Sequence, residues 1–268
     1  MPEINEAGRA VFEQRATVES WDSDYYHPIA ERYYDRAIAA MLRFMEVEPG
    51  ATVLDAGCGP GVHSVRVARA GYRVYAIDVS QTMLAEAQSR VAAAGAASLV
   101  EFSRQDLTRL TLPNASFRYA FSWGVIIHIH DVEKALDELA RILEPGGKLA
   151  LYVTNQSAWD HKLERLLRFM LRKPLSGRTT VPLGTGTLYD LHEQKLWVWQ
   201  FNIGELERQL QLRGLRLTHR IVGEFSEIQR RVRGPLRAVL LRLNNLWFRL
   251  RFPTGPAVTN LLVFEKSR

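Results

Sequence analysis

The stretch that decides the reading of this chain is VLDAGCGPG, Val53 to Gly61. An apolar run ends on Asp55, and glycines follow at alternate positions, Gly57, Gly59 and Gly61. Such glycines let a strand turn sharply into a helix and let a ligand press against main-chain atoms where a Cβ would stand. A helix pattern begins at Val62, and its free N–H groups face the same turn. The spacing is not that of a dinucleotide site, because Val62 stands where that pattern needs Gly or Ala. Asp55 beside the loop also repels a pyrophosphate and suits a cation. A ligand carrying a carboxylate, an ammonium and a sulfonium, with no phosphate, fits this mixture; S-adenosylmethionine is one.

Outward from this stretch the pattern alternates. YRVYAID (72–78), LVEFSR (99–104), YAFSWGVI (119–126) and KLALYV (148–153) read as strands. Helices fill the intervals, over 62–70, over 81–93 behind an N-cap at Ser80, and over 131–143 ahead of Pro145-Gly146-Gly147. A further helix (203–212) and two strands (215–222 and 259–266) end the chain. Strands alternating with helices imply a doubly wound α/β domain with a mostly parallel sheet. The reading is one domain, 1–268, with helical insertions at 155–200 and 226–257.

VLDAGCGPG, Asp78 ending the second strand, Asp106 after the third and LARILEPGGKLAL (139–151) after the fourth together resemble the class I S-adenosylmethionine-dependent methyltransferases. The resemblance spans about residues 30–155. It implies a Rossmann-like sheet of seven strands whose last is antiparallel, N-terminal lid helices (1–50), a cofactor core (51–154) and acceptor-side insertions. It also implies roles. Gly57, Gly59 and Gly61 line the methionine part of the cofactor and Asp55 faces its ammonium. Asp78 accepts the ribose hydroxyls, Met83 packs on the adenine, and Asp106 with the Leu107 N–H meets the adenine edge. Ser122 and Trp123 approach the sulfonium, although Trp123 serves equally as a core residue.

GVIIHIHDVEKAL (124–136) resembles the small-molecule branch that includes the ubiquinone- and menaquinone-biosynthesis methyltransferases. There His128 is the candidate general base; packing behind the cofactor loop is its structural alternative. His130 departs from that branch. His128, His130 and Asp131 lack a further clustered ligand, so no metal is expected. Trp21, Tyr25 and Tyr26, with Tyr33 and Tyr34, are candidate lid and acceptor contacts or core aromatics. Trp197 and Trp199, in the alternating WVWQF (197–201) near Tyr189 and His192, are candidate walls of the acceptor pocket.

The formal charge of +6 divides unevenly over the 268 residues. Residues 1–161 carry 15 bases and 21 acids, while six bases with one acid crowd residues 162–178 and seven arginines with no acid occupy 228–264. HKLERLLRFMLRK (161–173) and PLRAVLLRLNNLWFRLRFP (235–253) read as basic amphipathic helices; in the second, Leu236, Val239, Leu240, Leu243, Trp247 and Leu250 form the stripe. Three readings stand: solvated arginines on helices covering the site, peripheral membrane contact through 162–178 and 235–252, or a nucleic-acid partner. The acidic cofactor half disfavours nucleic acid. A lone cysteine, Cys58, and the absence of a signal-like or spanning apolar run point to a cytoplasmic protein. The composition, 47% hydrophobic and 24% charged, excludes a disordered or disulfide-scaffold chain. The expected function is methyl transfer to a small, apolar or lipid-like acceptor, at oxygen before carbon. An RNA methyltransferase and a non-catalytic cofactor-binding protein are the rivals.

Overall fold

The structure is a computed structural model that describes residues 10–17, 19, 28–172, 177–191, 194–230 and 232–268. Trp21, Tyr25, Tyr26 and His192 lie outside the described residues. Helix α1 (Pro28–Phe44) leads into β1 (Thr52–Ala56), α2 (Val62–Arg69), β2 (Arg73–Asp78), α3 (Gln81–Ala93), β3 (Val100–Arg104) and β4 (Phe117–Trp123). Helix α4 (Val132–Ile142) precedes β5 (Leu143–Thr154), and α5 (Trp159–Met170) follows it. Strands β6 (Thr179–Val181), β7 (Gly184–Leu191) and β8 (Gln194–Phe201) come next. The chain closes with α6 (Ile203–Leu212), β9 (Leu215–Val222), α7 (Pro235–Arg249) and β10 (Thr259–Lys266).

The main sheet has seven strands in the order β3-β2-β1-β4-β5-β10-β9. Strands β1 to β5 pair in parallel, and β10 runs antiparallel to both β5 and β9. Both faces are covered, which is why β1 and β4 read as continuous apolar runs rather than alternating ones. On one face Tyr33, Ile38 and Met41 of α1 pack with Val65, Leu84 and Leu241 of neighbouring helices. On the other, Leu136 and Leu139 of α4 pack with Leu206 and Leu210 of α6. The strand order reverses between β1 and β4, and a crevice opens beyond the carboxyl ends of the strands there, as such sheets dictate.

Three sequence expectations change. Strand 119–126 stops at Trp123, because Gly124 takes a φ of +69° and turns the chain into a short 3-10 turn over Ile126–His128. Strand β5 begins at Leu143 rather than Lys148. Its pairing with β4 jumps from Phe117↔Leu143 to Tyr119↔Lys148, so the Pro-Gly-Gly segment bulges out of a continuing strand. The insertion at 155–200 is not only helical, since β6, β7 and β8 form a separate antiparallel sheet. Gly186 makes that sheet feasible, as a Cβ there would overlap the Trp197 ring. Among the described residues no helix is long and apolar enough to cross a membrane.

Candidate active site

A cavity of about 430 Å³ occupies the crevice and joins two chemically distinct halves. The first is built on the glycine loop. The Gly57 and Cys58 N–H groups both donate to the Ile77 carbonyl, at 2.9 and 2.8 Å, tying the loop to the end of β2. Gly57 has φ +92°, and a Cβ on it would strike the Val125 side chain. Asp78 is the hub. Its Oδ2 accepts the Gly59 N–H at 2.8 Å and its Oδ1 accepts the Ser80 N–H at 2.9 Å. Burial raises the Asp78 pKa, while the Ser80 and Gly59 N–H groups hold it down in part. Ser80 caps α3 as its sequence position predicts, its Oγ accepting the Met83 N–H at 3.1 Å.

The structure brings Gly57, Gly59, Asp78, Met83, Asp106, Leu107, Trp123 and His128 to the cavity wall, and leaves Asp55, Gly61 and Ser122 off it. Asp55 is 1% exposed and accepts the Ser64 hydroxyl at 2.6 Å. Gly61 is the N-cap of α2 with φ +79°, and a Cβ there would sit 2.9 Å from the Ala87 Cα, so its requirement is helix packing. Ser122 is buried behind the wall. Asp106 is held by Thr108, whose N–H and hydroxyl donate to its Oδ1 at 3.0 and 2.8 Å.

Segment 10–17 falls within the N-terminal 1–50 region expected to form lid helices, but none of its residues stands out in the sequence. Phe12 lines the cavity, and the Ser80 hydroxyl donates to its carbonyl at 2.9 Å. The Glu13 carboxylate accepts the Gln81 and Thr82 N–H groups at the N-terminus of α3, both at 3.1 Å. No local pattern marks this segment, because its partners lie about 70 residues away.

The second half is formed by β5, β8, β10, α5 and the turn after β9. Tyr152 stacks on Trp123 with ring centroids 4.1 Å apart and planes 7° apart. Its hydroxyl accepts from the Thr259 hydroxyl at 2.6 Å, lies 2.9 Å from the Tyr33 hydroxyl, and points to Glu224 Oε2 at 3.5 Å. Burial holds the Tyr152 and Tyr33 phenols well above their ordinary pKa, so both stay protonated. The buried Glu224 also takes the Gln229 amide at 3.1 Å and the Arg230 guanidinium at 3.3 Å. Asp160 Oδ2 accepts the Ser226 hydroxyl and the Glu227 N–H, fastening α5 to the same turn. Leu196, Val198 and Val258 supply apolar wall between these groups.

Two aromatic expectations need correction. Trp197 and Trp199 do not face the cavity; both are buried with Phe201 against α4, and the alternate residues Leu196, Val198 and Gln200 of β8 line the pocket instead. A strand sends successive side chains to opposite faces, and the larger rings take the core. Trp199 Nε1 donates to the Ile129 carbonyl at 2.9 Å, and the Trp197 carbonyl accepts from His128 Nδ1 at 3.1 Å. That bond places the proton of neutral His128 on Nδ1. Burial drives its pKa down to about 4. A ring so weakly basic is a poor proton sink near neutral pH. Tyr34 does reach the cavity, packed edge-on to Trp123, and Tyr33 is buried below it.

The electrostatics of the first half carry a pH dependence. Burial lifts the Asp55 carboxyl to about 7, against the Ser64 hydrogen bond and with the Asp78 charge adding to the rise. The folded state therefore holds this proton to higher pH than the unfolded chain. The stability it contributes is present below pH 4 and is lost as pH rises through 7. His128 works in the opposite sense below pH 6.5, so the comparison must be differential. The stability gap between Asp55→Asn and the parent protein, read from urea melts without cofactor, is expected to move in favour of the variant from pH 5 to 7.5. The shift amounts to at most about 1.4 kcal/mol per pH unit. A gap that does not vary with pH would contradict this assignment.

The lining residues fit S-adenosylmethionine. Asp78 and Asp106 face the first half with Asp55 behind them, and among the described residues Arg230, across the cavity, is the sole Lys or Arg on the wall. That polarity suits a cationic ligand and opposes a diphosphate. Among the described residues no three His, Cys, Asp or Glu side chains are grouped to hold a metal ion.

Comparison with known proteins agrees with this chemistry. Residues 53–147 match the family described as "Methyltransferase domain". Methyltransferase GfsG of Streptomyces halstedii is 32% identical over 151 residues, 56% of this chain and 54% of that protein. The malonyl-[acyl-carrier protein] O-methyltransferase of Pseudescherichia vulneris is 40% identical over 100 residues, 37% of this chain and 38% of that protein. The chain thus spans about half or less of the length of these relatives. Among solved structures, magnesium protoporphyrin IX methyltransferase from Synechocystis PCC 6803, with bound SAH, superposes with a TM-score of 0.64 at 16% identity, over 97% of this chain and 98% of that one, a likeness of fold. With the sheet order, the Asp78-centred loop and the domain match in agreement, residues 53–147 are a methyltransferase domain, set in the fold of the class I S-adenosylmethionine-dependent enzymes.

Proposed function

We propose that the protein transfers the methyl group of S-adenosylmethionine to a small apolar or lipid-like acceptor, at oxygen in preference to carbon. The observation that carries this reading is the second half of the cavity, where a hydroxyl cluster, Tyr152 and Thr259, lies among apolar side chains beside Trp123. When bound, S-adenosylmethionine supplies a methyl group already activated on a sulfonium. What remains for the protein is alignment and exclusion of water. Asp78 and Asp106 hold the ribose and adenine ends, and the segment bearing Phe12 closes over them. Trp123 and Tyr152, stacked on each other, form an aromatic wall of the cavity between its two halves. The balance is met by an acceptor oxygen that enters ionised: it takes the methyl group as the neutral thioether product departs, and the Tyr152 O–H, turned from Glu224, donates a hydrogen bond to that oxygen. Neutral His128 orients rather than deprotonates. The exposed apolar side chains of α5 and α7 support contact of 162–178 and 235–252 with a membrane, where a lipid-like acceptor would be met.

A matched acceptor panel tests this. Hydroxylated aromatics with and without an alkyl tail, a free amine, and total tRNA are each supplied with S-adenosylmethionine. The tailed hydroxyl compound is expected to show at least a tenfold higher kcat/KM than its tail-free counterpart, with methyl on oxygen by mass spectrometry. Methylation of tRNA or of the amine first would overturn the reading.

A further inference from the structure

A groove runs between α1 and α7, with Arg32 and Arg36 on one side, Arg242 and Arg249 on the other, and Ile29 and Leu246 between them. The spacings i, i+4 and i, i+7 put each pair of arginines on one face of its helix. Asn245 ties the two walls together, donating to the Ile29 carbonyl at 3.0 Å and accepting from Arg36 at 3.3 Å. Among the described residues no acidic side chain lines the groove. No ion pair among the described residues engages Arg32, Arg242 or Arg249, although Asp35 on α1 is paired with Arg66. Four guanidiniums around one groove repel one another unless an anion sits between them, and their planar forks match phosphate oxygens.

Beside the arginines, α7 exposes an apolar stripe. Leu236, Val239, Leu243, Leu246 and Leu250 are 45 to 56% exposed. The sequence places Leu240 and Trp247 on this stripe, but the structure turns Trp247 inward, stacked on Phe225 at 4.2 Å, and Leu241 and Asn244 make the buried contact. The covering role that an amphipathic helix usually fills is thus met by a different face, and the leucines are left outward. Helix α5 repeats the pattern, with Phe169 and Met170 exposed at 83 and 68%. Its first residue donates to the Pro256 carbonyl just beyond α7, at 2.9 Å. Arginines flanking outward leucines are the composition of a helix that lies in a bilayer interface.

We infer that the α1–α7 groove seats the phosphate headgroup of an anionic phospholipid and docks this face on a negatively charged bilayer; the inference rests on the membrane contact proposed above. The test is co-sedimentation with vesicles of phosphatidylcholine alone and of phosphatidylcholine with phosphatidylglycerol. The parent protein is expected to pellet with the second and not the first. Arg242→Glu/Arg249→Glu and, from the other wall, Arg32→Glu/Arg36→Glu are each expected to weaken binding at least tenfold. Arg216→Glu, a reversal on the sheet edge at β9, is expected to bind like the parent, and melting curves establish that all variants fold. If the parent ignores both vesicles, the membrane contact itself falls, and the groove with it. If the parent binds and the groove variants bind equally well, the groove assignment falls alone. Loss of self-association in the groove variants, with no vesicle binding by the parent, would assign the face to a second copy and overturn the proposal.

Discussion

Asp78→Ala lowers the affinity for S-adenosylmethionine by about 100-fold or more in calorimetry, while the melting curve of the cofactor-free protein stays cooperative. The size follows from how many donors converge on one carboxylate. Asp78 holds the loop through the Gly59 and Ser80 N–H groups and lines the cavity half proposed to receive the ribose. A hydrogen bond to a charged group contributes about 1.5–3 kcal/mol, and alanine removes those made to the ribose together with the loop's anchor. Asp78→Asn, which keeps one acceptor oxygen, is expected to fall between parent and alanine. An alanine variant binding within threefold of the parent would remove Asp78 from the site.

Gly61→Ala is expected to cost roughly 2–5 kcal/mol of stability in urea melts. Two costs add. A left-handed backbone disfavours any side chain by roughly 1–2 kcal/mol, and Gly61 sits at φ +79°. The added Cβ also falls 2.9 Å from Cα and Cβ of Ala87, which belong to the rigid body of α3 and cannot swing aside. Overpacking of this kind costs about 1–3 kcal/mol. Because Gly61 is off the cavity wall, cofactor affinity of the folded fraction is expected to change little. A stable variant that has lost cofactor would reverse this assignment and return Gly61 to the binding loop.

The parts legible in the sequence are those encoded locally. The glycine loop, the Ser80 cap and the strand-ending Asp78 each depend on neighbours within a few residues, and the structure puts them where the pattern does. The face of a strand is a weaker signal. In WVWQF every second residue faces the cavity, but alternation alone does not say which set; Trp197 and Trp199 face the core because α4 and α6 offer a larger apolar surface than the pocket. The acceptor wall was the least legible. Tyr152, Glu224, Arg230 and Thr259 come from three separate stretches and meet only because β10 inserts between β5 and β9. Arg230 lies in the 226–257 insertion, whose arginines left three readings open, and Glu224 lies just ahead of it; burial brings them into an ion pair at 3.3 Å. The glutamate that caps α3, Glu13, carries no motif at all.

The central claim is that one cavity holds S-adenosylmethionine and presents its methyl group to an apolar acceptor. The most direct measurement is transfer of labelled methyl from S-adenosylmethionine into the organic-extractable fraction of an acceptor panel, with the parent protein and Asp78→Ala side by side. The account predicts label in that fraction with the parent and loss of nearly all of it with the variant at a cofactor concentration that saturates only the parent. Cofactor bound by the parent with no label transferred to any extractable acceptor, or equal transfer by both proteins, would contradict it.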